Sequence, residues 1–159
     1  MEMQQAHTLA RKYVDEWNQH TERAPLWVSL AMPESPVNIP GVTFSNGGAP
    51  VAGMHQSIRA ELIVLNPQLV PESFLSSFFH EYGHALYAAS TPAEARNVVD
   101  SEVAAIRFSL EALEKEGFAD LAAREVAAVL DMAVNEPYKS AVAKLTAHPL
   151  WIKYAHRRA

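Results

Sequence analysis

Apolar positions recur every three or four residues along most of this chain, and a single stretch breaks that rhythm. Over residues 3–20, Leu9, Tyr13 and Trp17 repeat every fourth position with Ala6 and Ala10 beside them. That spacing predicts an amphipathic packing helix with His7 and His20 turned to solvent. From Leu26 to Asn66 the texture changes. Prolines at 25, 33, 36, 40 and 50 and glycines at 41, 47, 48 and 53 divide short apolar runs, which suits brief strands and turns. The candidate strands are Leu26–Met32, Val42–Ser45, Val51–His55 and Ala60–Asn66, with Asn46-Gly47 as a hairpin signal. The run Glu61-Leu62-Ile63-Val64-Leu65-Asn66 is the strongest of them. A strand there could form the rim of a cleft, offering edge groups to an extended peptide, or lie buried within the sheet. His55 reads as a loop residue rather than a ligand.

Helical spacing returns after Asn66-Pro67. No proline interrupts Ser73 to Ala89, and Pro71 can stand at a first helical position. At about 100° per residue, Leu75, Phe78, Phe79, Tyr82 and Leu86 share one side. Ser73, Ser76, Ser77, His80, Glu81, Gly83, His84 and Tyr87 share the other. Thr91 and Glu94 then fit a capping box with Pro92 at the first position. This predicts a helix from there to about Glu116, broken near Asp100 and ended by Gly117. Its core stripe is Val103, Ile106, Leu110 and Leu113. Residues 118–134 carry Leu121, Val126, Val129, Leu130 and Met132 on another helix, stopped by Asn135-Glu136-Pro137. A short helix near Ser140–Ala147 and a tail after His148-Pro149 complete the chain. The resulting expectation is one α+β domain over residues 1–159: an N-terminal helix, a small twisted sheet, a helix carrying the polar face just described, and a helical C-terminal part.

Composition narrows what such a domain does. With 49% apolar and 19% charged residues the chain can bury a core. Cysteine is absent, so disulfides and thiolate metal sites are excluded and any metal is held by His and carboxylate. The same absence fits a reducing cytoplasm. The polar start MEMQQAHTLARKYVDEW has no apolar signal core, and no apolar run approaches the ~20 residues that span a bilayer. The net charge of −5 argues against nucleic acid as a partner, and at most favours basic substrates by weak steering.

The polar face of the 73–89 helix concentrates the chemistry. Phe79-His80-Glu81-Tyr82-Gly83-His84 reads His-Glu-x-x-His. Residues four apart on a helix lie one turn above each other, roughly 6 Å apart, so both imidazoles can reach one ion. Zinc accepts such nitrogen ligands and keeps a water when three protein groups hold it. Glu81, between them, is placed to take that water's proton. A surface helix that happens to carry two histidines and a glutamate would explain the polarity, but not Gly83. A glycine in a helix interior costs about 1 kcal/mol relative to alanine, and it is accounted for if another segment approaches closely.

A catalytic zinc needs a third protein ligand. A further histidine six residues after the second is one common solution, but that position is Ser90. A carboxylate from the next helix is another. Glu102, 18 residues beyond His84, is the leading candidate, and Asp100 is its rival. On a continuous helix the two point roughly 200° apart, so only one can face the metal. Glu94 and Asp120 are weaker choices, and His148 and His156 are late alternatives.

With these residues in place the chain resembles the gluzincin branch of the His-Glu-x-x-His zinc metallopeptidases, and more narrowly the ImmA/IrrE family. The resemblance covers roughly residues 60–115: the strand Glu61–Asn66, the helix with His80-Glu81-Tyr82-Gly83-His84, and Glu102-Val103-Ala104-Ala105-Ile106-Arg107-Phe108 on the next helix. It implies a zincin-like α+β fold, one Zn2+ per chain held by His80, His84 and Glu102, and Glu81 as the catalytic base. Ile106 stands where that family carries Asn, and Leu110-Glu111-Ala112-Leu113-Glu114 replaces its Leu-Leu-Met-Pro ending. The implied function is a zinc-dependent endopeptidase acting on a protein or peptide, such as a bacterial repressor. A zinc-containing protein-binding module without turnover is the alternative. For the oxyanion, Tyr87, Tyr138, His148, Tyr154 and His156 all carry suitable groups. The oligomeric state is left open by the sequence.

Overall fold

The computed structural model describes residues 1–20, 22–30, 53–57 and 61–157. By its internal contacts the chain divides into two compact units, Met1–Glu81 and Tyr82–Ala159, with the division falling inside one helix.

The first unit begins with helix α1, Met3–Asn18. Its buried stripe is Ala6, Ala10, Tyr13 and Trp17, spaced four, three and four residues as one helix face requires. Leu9 is only half-buried, while His7 and His20 are exposed as the pattern predicts. Two side chains tie the end of α1 to the strand that follows. Trp17 Nε1 donates to the Ala24 carbonyl at 2.8 Å, and Asn18 Oδ1 accepts from Leu26 N at 2.9 Å.

Among the described residues three strands follow: β1 Leu26–Leu30, β2 Gly53–Ser57 and β3 Glu61–Leu65. Their order is β1-β3-β2, with β1 parallel and β2 antiparallel to β3. All five residues of β3 are buried, as expected of a near-continuous apolar run in the middle of a sheet. The cleft-rim expectation for this strand is therefore corrected. Its backbone groups are engaged on both sides, by β1 and by β2, and it offers no free edge to a peptide. His55 also differs from its expectation, standing within β2 opposite Ile63 rather than in a loop. The expected strand Val42–Ser45 and the Asn46-Gly47 turn lie outside the described residues.

Helix α2, Pro71–Ser90, starts at the expected proline. Within the first unit Phe74, Leu75, Phe78 and Phe79 are buried, and Phe79 meets Tyr13 edge-on with ring centroids 4.9 Å apart. Beyond the division, Tyr82, Gly83, Ala85 and Ala88 are buried in the second unit and Leu86 is half-buried.

The second unit is helical: α3 Val98–Lys115, α4 Ala119–Met132, α5 Tyr138–Leu145 and α6 Pro149–Arg157, after a single 3-10 turn at Ala93–Ala95. The helix expected to begin at Thr91-Pro92 begins instead at Val98. Asn97 caps it, its side-chain oxygen accepting from Asp100 N at 2.8 Å. Arg96 meanwhile turns back, donating to the Ala88 and Thr91 carbonyls at 2.6 and 2.9 Å. These bonds hold the intervening chain as a connection, and Thr91 and Glu94 form no helix start. Helix α3 packs on α4, α5 and α6, burying Ala105, Ile106, Ser109, Leu110, Ala112 and Leu113. Gly117 ends it at φ +87°, with Phe118 N donating to Leu113 O and Gly117 N to Glu114 O, the paired bonds of a left-handed helix stop. On α4, Leu121, Val126 and Val129 are buried, whereas Met132, another of the apolar residues of this stretch, is 42% exposed at the helix end. The expected C-terminal tail is α6. Pro149 opens it, and Trp151 and Tyr154, three residues apart on one face, are both buried. The broad α+β class holds, and among the described residues no helix is long and apolar enough to cross a membrane.

Candidate metal centre

His80 and His84 stand on adjacent turns of α2. Their spacing alone puts both rings on one side of the helix. Glu102 comes from α3, whose start is set by the Asn97 cap five residues earlier. One donor atom from each of His80, His84 and Glu102 lies within 4.8 Å of the others, and all three residues are half-buried.

His84 Nε2 and Glu102 Oε1 are 3.3 Å apart, each side chain only 14% exposed. Two ligands about 2.0–2.1 Å from a tetrahedral ion stand about 3.3 Å from one another. The pair thus has the separation of two donors sharing one zinc. Two imidazoles and a carboxylate are also a donor set zinc accepts in catalytic sites. His84 is held from behind as well, with Nδ1 lying 2.7 Å from Ser101 Oγ.

Gly83 explains how α3 comes so near. A Cβ built on it would stand 2.6 Å from Ala105 Cα and 3.1 Å from both Ala105 O and Phe108 Cβ. No side chain fits there, because the nearest obstacle is backbone. The Tyr82 and Phe108 rings stack beside this crossing with centroids 4.9 Å apart. The close approach inferred from a glycine in mid-helix is therefore present, although Gly83 lies in the α2–α3 contact rather than on an open polar face.

The other proposed ligands go elsewhere. Asp100 accepts from Lys144 Nζ at 2.6 Å and from Asn97 Nδ2 at 2.7 Å. Hydrogen bonds from Lys144 first and Asn97 second hold its carboxyl below the ordinary range. It points away from Glu102, as the helical angle between them requires. Glu94 is exposed in the 3-10 turn, and Asp120 is exposed in the first turn of α4. His148 places Nε2 3.3 Å from Glu111 Oε1, and His156 is exposed on α6. Glu81 is half-buried between the two histidines.

Among the candidate oxyanion donors, Tyr87 accepts a hydrogen bond from Asn97 N at 3.0 Å and so braces the start of α3. Tyr154 is buried and donates to Glu114. Tyr138 is half-buried at the start of α5. Ser101 is the residue that sequence reasoning missed. The available signal was its position, directly before Glu102, together with the need of a ligating histidine for a partner on its second ring nitrogen. Comparison of the chain with protein-family models, curated proteins and solved structures found no significant match.

Proposed function

We propose that the chain is a zinc-dependent peptidase of zincin-like fold, with His80, His84 and Glu102 as the metal ligands and Glu81 as the general base. The observation that carries this reading is the convergence of the three donors within 4.8 Å, with a glutamate directly after the first histidine. A zinc ion held there supplies Lewis acidity to a peptide carbonyl and makes a water acidic near neutral pH. Glu81 takes a proton from the attacking water and delivers it to the leaving nitrogen, so one residue serves as base and then as acid. The substrate is a peptide bond in a protein, such as a bacterial repressor, and the cysteine-free chain suits a cytoplasmic enzyme.

An intact base favours turnover over simple binding, because a structural zinc site closes its fourth position and gains nothing from Glu81. The expected outcome is about one zinc per chain in the purified protein, lost in His80→Ala and His84→Ala. Glu81→Gln keeps the metal and loses peptide hydrolysis by roughly 10²-fold or more. Full zinc in both histidine variants removes the metal site, and an active Glu81→Gln removes the base. Zinc bound without hydrolysis of unfolded peptides or repressors leaves a zinc-containing binding module as the better description.

A further inference from the structure

Resting on the ligand set just proposed, we infer that Ser101 is the positioning residue of the centre. Its hydroxyl holds His84 through Nδ1, so that Nε2 faces the ion together with Glu102. The argument begins with the imidazole. A neutral ring carries one N–H, and the nitrogen that binds a metal must carry none. In the loaded site Nε2 is the ligand, so the proton sits on Nδ1 and needs an acceptor. Ser101 Oγ lies 2.7 Å from Nδ1. A hydroxyl both accepts and donates, so it serves His84 with the ion and without it.

The positions of Ser101 and Glu102 follow from a single helix start. Asn97 caps α3 through Asp100 N, and Ser101 N donates to the Asn97 carbonyl at 3.1 Å. Ser101 and Glu102 therefore occupy the first well-formed turn, and consecutive residues contact two different nitrogens of one ring. Ser101 is also one turn before Ala105, the residue whose backbone closes on Gly83. The close crossing that brings a carboxylate to one side of His84 brings a hydroxyl to the other. A histidine ring gripped at both nitrogens cannot rotate about its outer torsion without losing one of the two contacts.

The experiment is a zinc titration of the full chain against a competing chelator, for wild type, Ser101→Ala and Ser101→Thr. It is paired with nitrogen-15 spectra of the His84 ring and thermal unfolding in excess chelator. Ser101→Ala is expected to bind zinc about 10- to 100-fold more weakly. It should also lose the protected Nδ1–H signal of the loaded wild type while unfolding normally without metal. Ser101→Thr restores the hydroxyl, and is expected to recover both affinity and signal. Equal affinity in wild type and Ser101→Ala overturns the role of Ser101 and leaves the zinc site standing. Equal weakness in Ser101→Thr and Ser101→Ala assigns the loss to packing and overturns it too. A wild type that binds no zinc overturns the ligand set and this inference with it.

Discussion

Replacing Gly83 by alanine sets two opposed effects against each other, and the sign of the result tests the geometry of the centre. In an isolated helix the change is favourable by about 1 kcal/mol, because glycine gives up more backbone freedom than alanine. In this protein the added Cβ would stand 2.6 Å from Ala105 Cα, whereas carbon atoms rest about 3.5–4.0 Å apart. The obstacle is backbone, so no rotamer relieves it and α3 must retreat by roughly 1 Å to reach that separation. Overpacking of this kind costs about 1–3 kcal/mol. The net expectation in excess chelator is a loss of up to about 2 kcal/mol, read from urea unfolding, in place of a gain of about 1. The second consequence concerns the metal. His84 Nε2 and Glu102 Oε1 are 3.3 Å apart, and a retreat of about 1 Å along that line takes them away from the separation of about 3.3 Å that two donors on one tetrahedral zinc keep. Zinc affinity by chelator competition should therefore fall along with stability. A Gly83→Ala protein that is more stable in chelator and binds zinc as tightly as wild type refutes the argument.

Three further expectations test the second unit. Asn97→Ala removes the cap of α3 and should cost about 1 kcal/mol in urea unfolding, with faster amide exchange confined to the turn that carries Ser101 and Glu102. Trp151→Ala should cost about 3–5 kcal/mol, because Trp151 is 4% exposed, and an unchanged unfolding midpoint would return residues 149–157 to the status of a tail. Glu136 accepts from Ser140 Oγ at 2.6 Å and Ser140 N at 3.1 Å, and these bonds, the hydroxyl's first, lower its pKa from 4.5. A lowered folded-state pKa stabilises above the unfolded value and loses that effect as pH falls through the folded one. The stability difference between wild type and Glu136→Gln should thus be constant near neutrality and shrink below pH 4.5, and a pH-independent difference would contradict the assignment.

The sequence made some elements legible and hid others for identifiable reasons. The α1 stripe apart from the half-buried Leu9, the opening of α2 at Pro71 and the stop at Gly117 each depend on a local rule, and each is found where that rule puts it. The start of α3 was misplaced because two capping signals lie six residues apart and sequence gives no way to rank them. Thr91 and Glu94 have the right spacing, but the Arg96 guanidinium holds the carbonyls of the preceding segment, and Asn97 takes the cap. Helix α6 stands where a tail is expected after His148-Pro149, because proline is equally at home in the first turn of a new helix and Pro149 opens one. The order of the sheet is a long-range property. The buried run of β3 is visible from composition, but its central place between β1 and β2 is not.

The candidate centre divides along the same line, between what one helix dictates and what two helices must negotiate. His80 and His84 share a face because four residues span a turn, and no tertiary information is needed to say so. Choosing Glu102 over Asp100 requires the helical phase of α3 relative to α2, which the chain encodes indirectly. Lys144, 44 residues beyond Asp100, engages that carboxylate. Gly83 and Ala105 remove the bulk that would hold Glu102 away from His84. The two smallest residues at the crossing, rather than the candidate ligands themselves, therefore decide which acidic residue reaches the histidine. Ser101 follows from the same phase, since the residue before Glu102 can meet the far nitrogen of His84 only when the backbones are this close. A bulkier residue at position 105 would then be expected to disturb the geometry of the candidate centre without altering any donor.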